Sequence, residues 1–294
     1  MVVTKKLSGG KIIFSLLLML VVTHCKAPVL EQHTSIKSLV VEYRSVNTIQ
    51  DIREITDSLV VPVIYNEVIS LNHLPIDLKK KKFIDMMLPA VLYAKYNMDQ
   101  LNAEMDDISY KIENNIPLNK EESEFLNQTL KDYRARDIYE LKEKLITHPV
   151  SLVLAQAAIE SGWGTSRFFL EGNNVFGIWS YDPAENRMMA KSGREGRNIF
   201  LRKYDHISGS IVDYFNTVAR AKAYTGFRKV RANSDNVFEM ANYLNKYSEL
   251  GYEYVSKIKY IIKSNDLTRY DHYQIDPNYF IETPVSEEPL LVMR

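Results

Sequence analysis

Ten consecutive positions, Val150-Ser-Leu-Val-Leu-Ala-Gln-Ala-Ala-Ile159, are apolar nearly all round a helix, and a carboxylate, Glu160, follows at once. A helix with a single apolar stripe lies on a surface, whereas one that is apolar on every side must be covered on every side. The rest of the chain therefore has to supply packing layers around this segment. Pro149 suits the first turn of such a helix, and Gly162-Trp163-Gly164 ends it.

Glycine usage indicates what those layers are. Of the 11 glycines, none falls between Gly10 and Gly162. Residues from about 30 to 160 are punctuated by proline and polar caps alone, which favours helices joined by short turns. Apolar residues at Phe83, Met86, Met87, Val91, Leu92 and Tyr96 predict an amphipathic helix from Leu78 to Asn114, bent near Pro89. The Lys79 to Lys82 run reads as its solvated start. Asn119-Lys-Glu-Glu122 resembles a capping box and predicts a second helix to about Arg136. The short connection between the two predicts an antiparallel helical hairpin.

Beyond Gly164 a glycine-bearing loop runs to about Pro183, and residues 187–204 read as a small β-hairpin around Ser192-Gly193-Arg-Glu-Gly196. Ser208 is the expected cap of a helix to about Ala221, and further helices fit Asp235 to Asn245 and Tyr252 to Lys263. Asp276 to Arg294, with three prolines, reads as an extended strap or frayed tail.

Lysine plus arginine equals aspartate plus glutamate at 37 each, so the basic excess of a nucleic-acid binder is absent. The six histidines are scattered, which argues against a structural zinc site, and neither metal nor cofactor is expected. Lys5, Lys6 and Lys11 precede an apolar run, Ile12 to Val22, that is too short to span a bilayer and has the pattern of a secretory signal. Cys25, the one cysteine, follows. Two cleavages fit: a lipoprotein type just before Cys25, which would anchor the chain to a membrane, and an ordinary type after Ala27. Export to the periplasm or cell envelope is the expectation in both cases. Oligomeric state is not legible.

Glu160 is the candidate for chemistry. A carboxyl at the end of an apolar helix shifts toward its neutral form, and a protonated glutamic acid can donate to a leaving group. An indole beside it, Trp163, suits an acid that works against a sugar ring. The same residue pattern also fits a helix-terminal glutamate that merely bonds the next loop.

Ala155-Gln-Ala-Ala-Ile-Glu-Ser-Gly-Trp-Gly-Thr-Ser166, followed by Gly172-Asn-Asn-Val-Phe-Gly-Ile178, resembles the bacterial endo-β-N-acetylglucosaminidase family, whose members trim peptidoglycan on a lysozyme-like helical fold. Phe83-Ile-Asp-Met-Met-Leu-Pro89 and Tyr247-Ser-Glu-Leu-Gly251 are similar to its Bax-type branch. The resemblance spans about residues 78 to 265. It implies a mainly α, lysozyme-like fold with a catalytic domain at 146–268 that carries a small β-hairpin lobe; the glycine usage adds a helical region at 28–145, and residues 269–294, outside the resemblance, read as a tail. It implies Glu160 as general acid. Asn173, Asn174, Phe176 and Gly177 would form the loop beneath a sugar groove, and Tyr247 would face the cleft. Many relatives carry a second glutamate in the hairpin lobe. Glu195 is the first candidate here, then Glu185 and Glu249; the alternative is that the substrate's own 2-acetamido oxygen attacks, with Tyr247 assisting. The implied activity is cleavage of β-1,4 bonds after N-acetylglucosamine in peptidoglycan glycan strands. Lytic transglycosylase or muramidase action, and a non-catalytic wall-binding scaffold, are the rival readings.

Overall fold

In the computed structural model, which describes residues 35–191, 193 and 198–284, the chain is mainly helical. The expected export segment with Cys25, the hairpin residue Glu195 and the tail beyond residue 284 lie outside the described residues. Lys37–Glu282 is one compact unit; a second, Met1–Ile36 with Thr283–Arg294, is almost wholly outside the description.

Extended segments come first: β1 (Ser35–Leu39), β2 (Glu42–Ser45), β3 (Leu59–Val60) and β4 (Val63–Glu67). Glycine scarcity alone predicts helices here, and the structure differs. Val60, Val61, Val63 and Ile64 are β-branched, a composition that fits strands, and Pro62 supplies the punctuation that glycine would otherwise give. β2 pairs parallel with β4 through Glu42–Val63, Tyr43–Ile64 and Arg44–Tyr65.

Helix α1 (Ile76–Glu113) then runs 38 residues, about 57 Å at 1.5 Å per residue, and passes through the buried Pro89 without interruption. Its lysine run does more than meet solvent. Lys81 pairs with Glu54 at 2.6 Å and Asp85 at 3.2 Å, and Lys82 donates to the Ile52 carbonyl at 3.1 Å, which ties the preceding loop to the helix. Helix α2 (Lys120–Tyr133) begins with the expected capping box: Glu122 N donates to Asn119 Oδ1 at 2.7 Å and Asn119 N to Glu122 Oε2 at 3.0 Å. Short helix α3 (Ile138–Leu145) leads to α4 (Val150–Ser161).

Every residue of α4 from Val150 to Ala158 is buried. The layers that the sequence demands are α1 and, from later in the chain, the helix Tyr252–Ser264 with the turn Leu267–His272. Full burial of each large aliphatic side chain is worth about 1.5–3 kcal/mol, so α4 is a main source of core cohesion. Its first turn is capped from far away in sequence. Ser151 N donates to Asp271 Oδ1 at 2.7 Å, and Ser151 Oγ to Asp271 Oδ2 at 2.8 Å. Gly162 ends the helix at φ +60°, a left-handed value that favours glycine.

After α4 come α5 (Arg167–Gly172) and the antiparallel hairpin of β5 (Arg187–Met189) and β6 (Phe200–Arg202), as expected. Helix α6 (Ile207–Arg220) is capped by His206, which accepts from Gly209 N at 3.3 Å, instead of by Ser208. Ser208 is buried and bonds the His206 ring at 2.8 Å. Helices α7 (Thr225–Arg231) and α8 (Val237–Ala241) are short, and α9 (Tyr252–Ser264) buries Tyr254, Val255, Ile258 and Ile262. Strand β7 (Gln274–Ile275) pairs parallel with β3, and β8 (Phe280–Pro284) closes the described chain as an extended strap. Among the described residues no helix is long and apolar enough to cross a membrane.

Asp271→Ala removes the cap of α4 and is expected to cost about 1–2 kcal/mol. A melting curve should show a drop of several degrees, and an unchanged Tm would show that the cap carries no stability.

Candidate active site

Glu160 stands on the last turn of α4, where the helix leaves the core, and is half-buried. It lines a cleft of about 640 Å³ whose wall includes Phe176, Trp179, Tyr181, Asp213, Tyr224 and Tyr247. A ligand of a few sugar rings fits a volume of this order. Burial raises the Glu160 pKa above the ordinary glutamate value, and one hydrogen bond, from the Tyr254 hydroxyl to Oε1 at 2.7 Å, works in the opposite direction. Desolvation is the larger effect, so the neutral acid persists to higher pH than it would in water.

The phenol that holds Glu160 is itself held. Tyr214 donates its hydroxyl to Gln156 Oε1, Gln156 Nε2 donates to the Tyr254 oxygen at 3.1 Å, and Tyr254 donates to Glu160. Each donor in this buried chain points toward the carboxyl, so the bonds polarise one another. Oε1 is thus occupied as an acceptor, and the transferable proton of the neutral acid belongs on Oε2. Burial raises the pKa of Tyr214, Tyr224, Tyr247 and Tyr254, which keeps all four as neutral phenols. Tyr247 stacks on Tyr254 with ring centroids 5.5 Å apart and an 8° interplanar angle. Together these rings form the weakly polar surroundings that desolvate Glu160.

The other residues expected at the site fall into two groups. Phe176 lines the cleft and stacks on Tyr214 at 4.2 Å, and Tyr247 lines it as well. Asn173 and Asn174 use their side chains on backbone. Asn173 Nδ2 donates to the carbonyls of Asn66 (2.8 Å) and Tyr204 (2.9 Å). Asn174 Nδ2 donates to those of Ile178 and Arg202 at 2.9 Å each, and its Oδ1 accepts from Ile178 N at 2.9 Å. They shape the loop under the cleft, where Gly177 takes φ +64°. Trp163 does not line the cleft: it packs edge-on against Phe83 at 5.6 Å with the Lys80 ammonium 5.3 Å from its ring centroid.

Glu185 and Glu249 are also not part of the cleft wall. Glu185 is bound to Arg202, with Arg202 Nε to Oε2 at 3.0 Å, and that guanidinium holds its pKa low. The carboxylate that does share the wall with Glu160 is Asp213, which sequence reading missed. It too is engaged, by Arg202 Nη1 at 2.6 Å and the Tyr204 hydroxyl at 2.7 Å. Gln156 could have been found, because it is the one amide in an apolar helix and sits four residues before Glu160, hence on its face. Tyr254, 94 residues away, carries no local signal.

Residues 135–267 match the family described as mannosyl-glycoprotein endo-beta-N-acetylglucosaminidase. Residues 135–267 are thus similar to a glucosaminidase domain. Protein bax of Escherichia coli K12 is 32% identical over 96 residues, which is 31% of this chain and 31% of that protein. The exo-glucosaminidase LytG of Bacillus subtilis 168 is 27% identical over 140 residues, 44% of this chain and 47% of that protein. The match spans less than half the length of these two relatives. The catalytic domain of the autolysin Auto from Listeria monocytogenes overlays with a TM-score of 0.37 at 23% identity, covering 52% of this chain and 89% of that one, a likeness too slight to bear on fold or chemistry.

The Tyr254 bond favours the ionised form of Glu160. Tyr254→Phe is therefore expected to raise the Glu160 pKa further and to move the alkaline limb of the pH–rate profile upward; a limb that stays or moves down contradicts this. The buried carboxyl also has a stability signature. A group whose folded pKa is raised stabilises the fold below its unfolded pKa, about 4.3 for glutamate, and that contribution is lost as pH rises through the folded value. Glu160→Gln is accordingly expected to match the wild-type Tm at pH 4 and exceed it at pH 8, as followed by circular dichroism.

Proposed function

We propose that this chain is an exported peptidoglycan hydrolase that cleaves β-1,4 glycosidic bonds after N-acetylglucosamine, with Glu160 as the proton donor. The observation that carries the reading is the Glu160 carboxyl: its pKa raised by burial, fixed through Oε1 by Tyr254, and on the wall of an open cleft. In the proposed step Oε2 gives its proton to the bridging oxygen as the bond to the anomeric carbon breaks. The family match and the exo-glucosaminidase relative support a glycosidase of this class.

Two-carboxylate hydrolysis needs a partner group about 5 to 9.5 Å from the acid. Asp213, the cleft's other described carboxylate, is occupied by Arg202 and Tyr204, which lowers its value as nucleophile or base. That engagement favours attack by the substrate's 2-acetamido oxygen, with the Tyr247 hydroxyl orienting the acetamido group. Such a route requires an N-acetylated sugar before the scissile bond. The basic and apolar N-terminal segment supports export, with Cys25 as the lipid attachment point if cleavage is of the lipoprotein type. An open groove of the kind that the family resemblance implies favours endo action on long strands.

Glu160→Gln is expected to lower turnover of purified cell wall by about 10²- to 10⁴-fold, the usual contribution of a general acid. Equal clearing of a wall gel by variant and wild type removes the assignment. Mass spectrometry of the digest should show new N-acetylglucosamine reducing ends in large fragments. Products ending in 1,6-anhydromuramic acid would point instead to a transglycosylase, and no clearing by either protein to a wall-binding scaffold. Tyr247→Phe should slow turnover about tenfold or more, equivalent to at least about 1.4 kcal/mol of barrier, with the fold intact; an unchanged rate reduces Tyr247 to a packing residue.

A further inference from the structure

Three arginines share the cleft wall with Glu160, and they are not equivalent. Arg202 is saturated: Glu185 and Asp213 both bind it. Among the described residues, neither Arg134 nor Arg220 has an ion-pair partner. Arg134 is the last residue of the α2 end, exposed, and held at φ +51° while Lys144 grips its carbonyl at 2.6 Å. Arg220 ends α6, with Thr217 one turn before it on the same wall. Its guanidinium carbon lies 5.6 Å from the Tyr133 ring centroid, and its buried Nε finds no acceptor. Tyr133 is in turn pinned through its hydroxyl to Asn216 Oδ1 at 2.7 Å, so the platform under Arg220 is fixed.

A neutral glycan gives these two cations little. Covering a guanidinium with an uncharged ligand removes water from it without restoring the charge interaction. A carboxylate restores it, and the planar fork of arginine matches carboxylate geometry with two parallel bonds. The nearby acids do not compete, because Asp213 and Glu185 are already committed to Arg202.

We infer that Arg134 and Arg220 form an anion subsite of the cleft that selects glycan carrying a carboxylate on the sugar bound there, over uncharged chitin-type chains. The inference rests on the hydrolase reading for its choice of glycan. In a peptidoglycan strand the carboxylate has two sources, the lactyl group itself and the acidic stem peptide attached to it.

The test measures binding by the full chain with Glu160→Gln, which leaves ligands uncut, by isothermal titration at low salt. Three ligands of equal length are compared: glycan with stem peptides, the same glycan stripped to free lactyl carboxylates, and neutral chitooligosaccharide. The expected result is at least about tenfold tighter binding of a charged ligand than of the neutral one, with the advantage collapsing in the Arg134→Gln/Arg220→Gln background and at high salt. An advantage confined to the first ligand assigns the stem peptide; one shared by the first two assigns the lactyl group. Equal affinity for all three, or a preference that survives loss of both arginines, overturns the inference. Arg134→Gln alone, at an exposed position, should already lose part of the preference without disturbing the fold. Should wild type cut none of the three while the arginine-dependent preference holds, the hydrolase reading fails and the subsite stands.

Discussion

One carboxyl group, withdrawn from water and held by a single phenol, sets the requirements for the rest of this structure. Glu160 is desolvated because α4 is buried to its last turn and because four tyrosines surround the place where it emerges. Left alone, such a group would be free to rotate and would ionise only at still higher pH. The bond from Tyr254 fixes Oε1 and makes ionisation less costly than burial alone would, which leaves an acid with a raised pKa that is still able to release its proton. That balance is what a proton donor needs, since it must give up its proton in one step and recover it in the next.

The long-range ties in the fold serve the same end. α4 can be apolar on every side only because α1 and α9 cover it, and α9 is also the element that delivers Tyr254. Asp271, from the turn after α9, caps the start of α4. Behind the helix, Lys95 donates to Thr147 and to the His148 carbonyl, while Arg231 bonds the His148 ring at 3.2 Å and the Glu143 carbonyl at 2.7 Å. These two cations, Arg231 buried and Lys95 partly so, anchor the segment that leads into α4, so both ends of the helix are fixed relative to the residues that face Glu160.

Features with a local cause were legible in the sequence. The buried helix follows from Val150–Ile159, the second helix start from the Asn119 and Glu122 spacing, and the hairpin from two short apolar stretches around a glycine-bearing turn. Features that depend on what a side chain meets across space were not. The strands at 42–67 arise from β-branched residues paired at a distance, a signal that the lack of glycine conceals. Trp163 follows Glu160 by three residues, yet its backbone, at φ +58°, sends the indole to Phe83 on α1. Asn173 and Asn174 look like sugar-binding amides until the carbonyls they bond are seen. Tyr254 and Asp213 belong to no motif; only the packing of α9 and α6 brings Tyr254 to Glu160 and Asp213 to the cleft.

The central claim is that burial holds the pKa of the Glu160 carboxyl above the ordinary glutamate value in the resting protein. Carboxyl ¹³C NMR with labelled glutamate, the Glu160 signal assigned by its loss in the glutamine variant, reads this directly. The account predicts a titration midpoint clearly above that of the exposed glutamates in the same spectrum. A midpoint at or below theirs would contradict it.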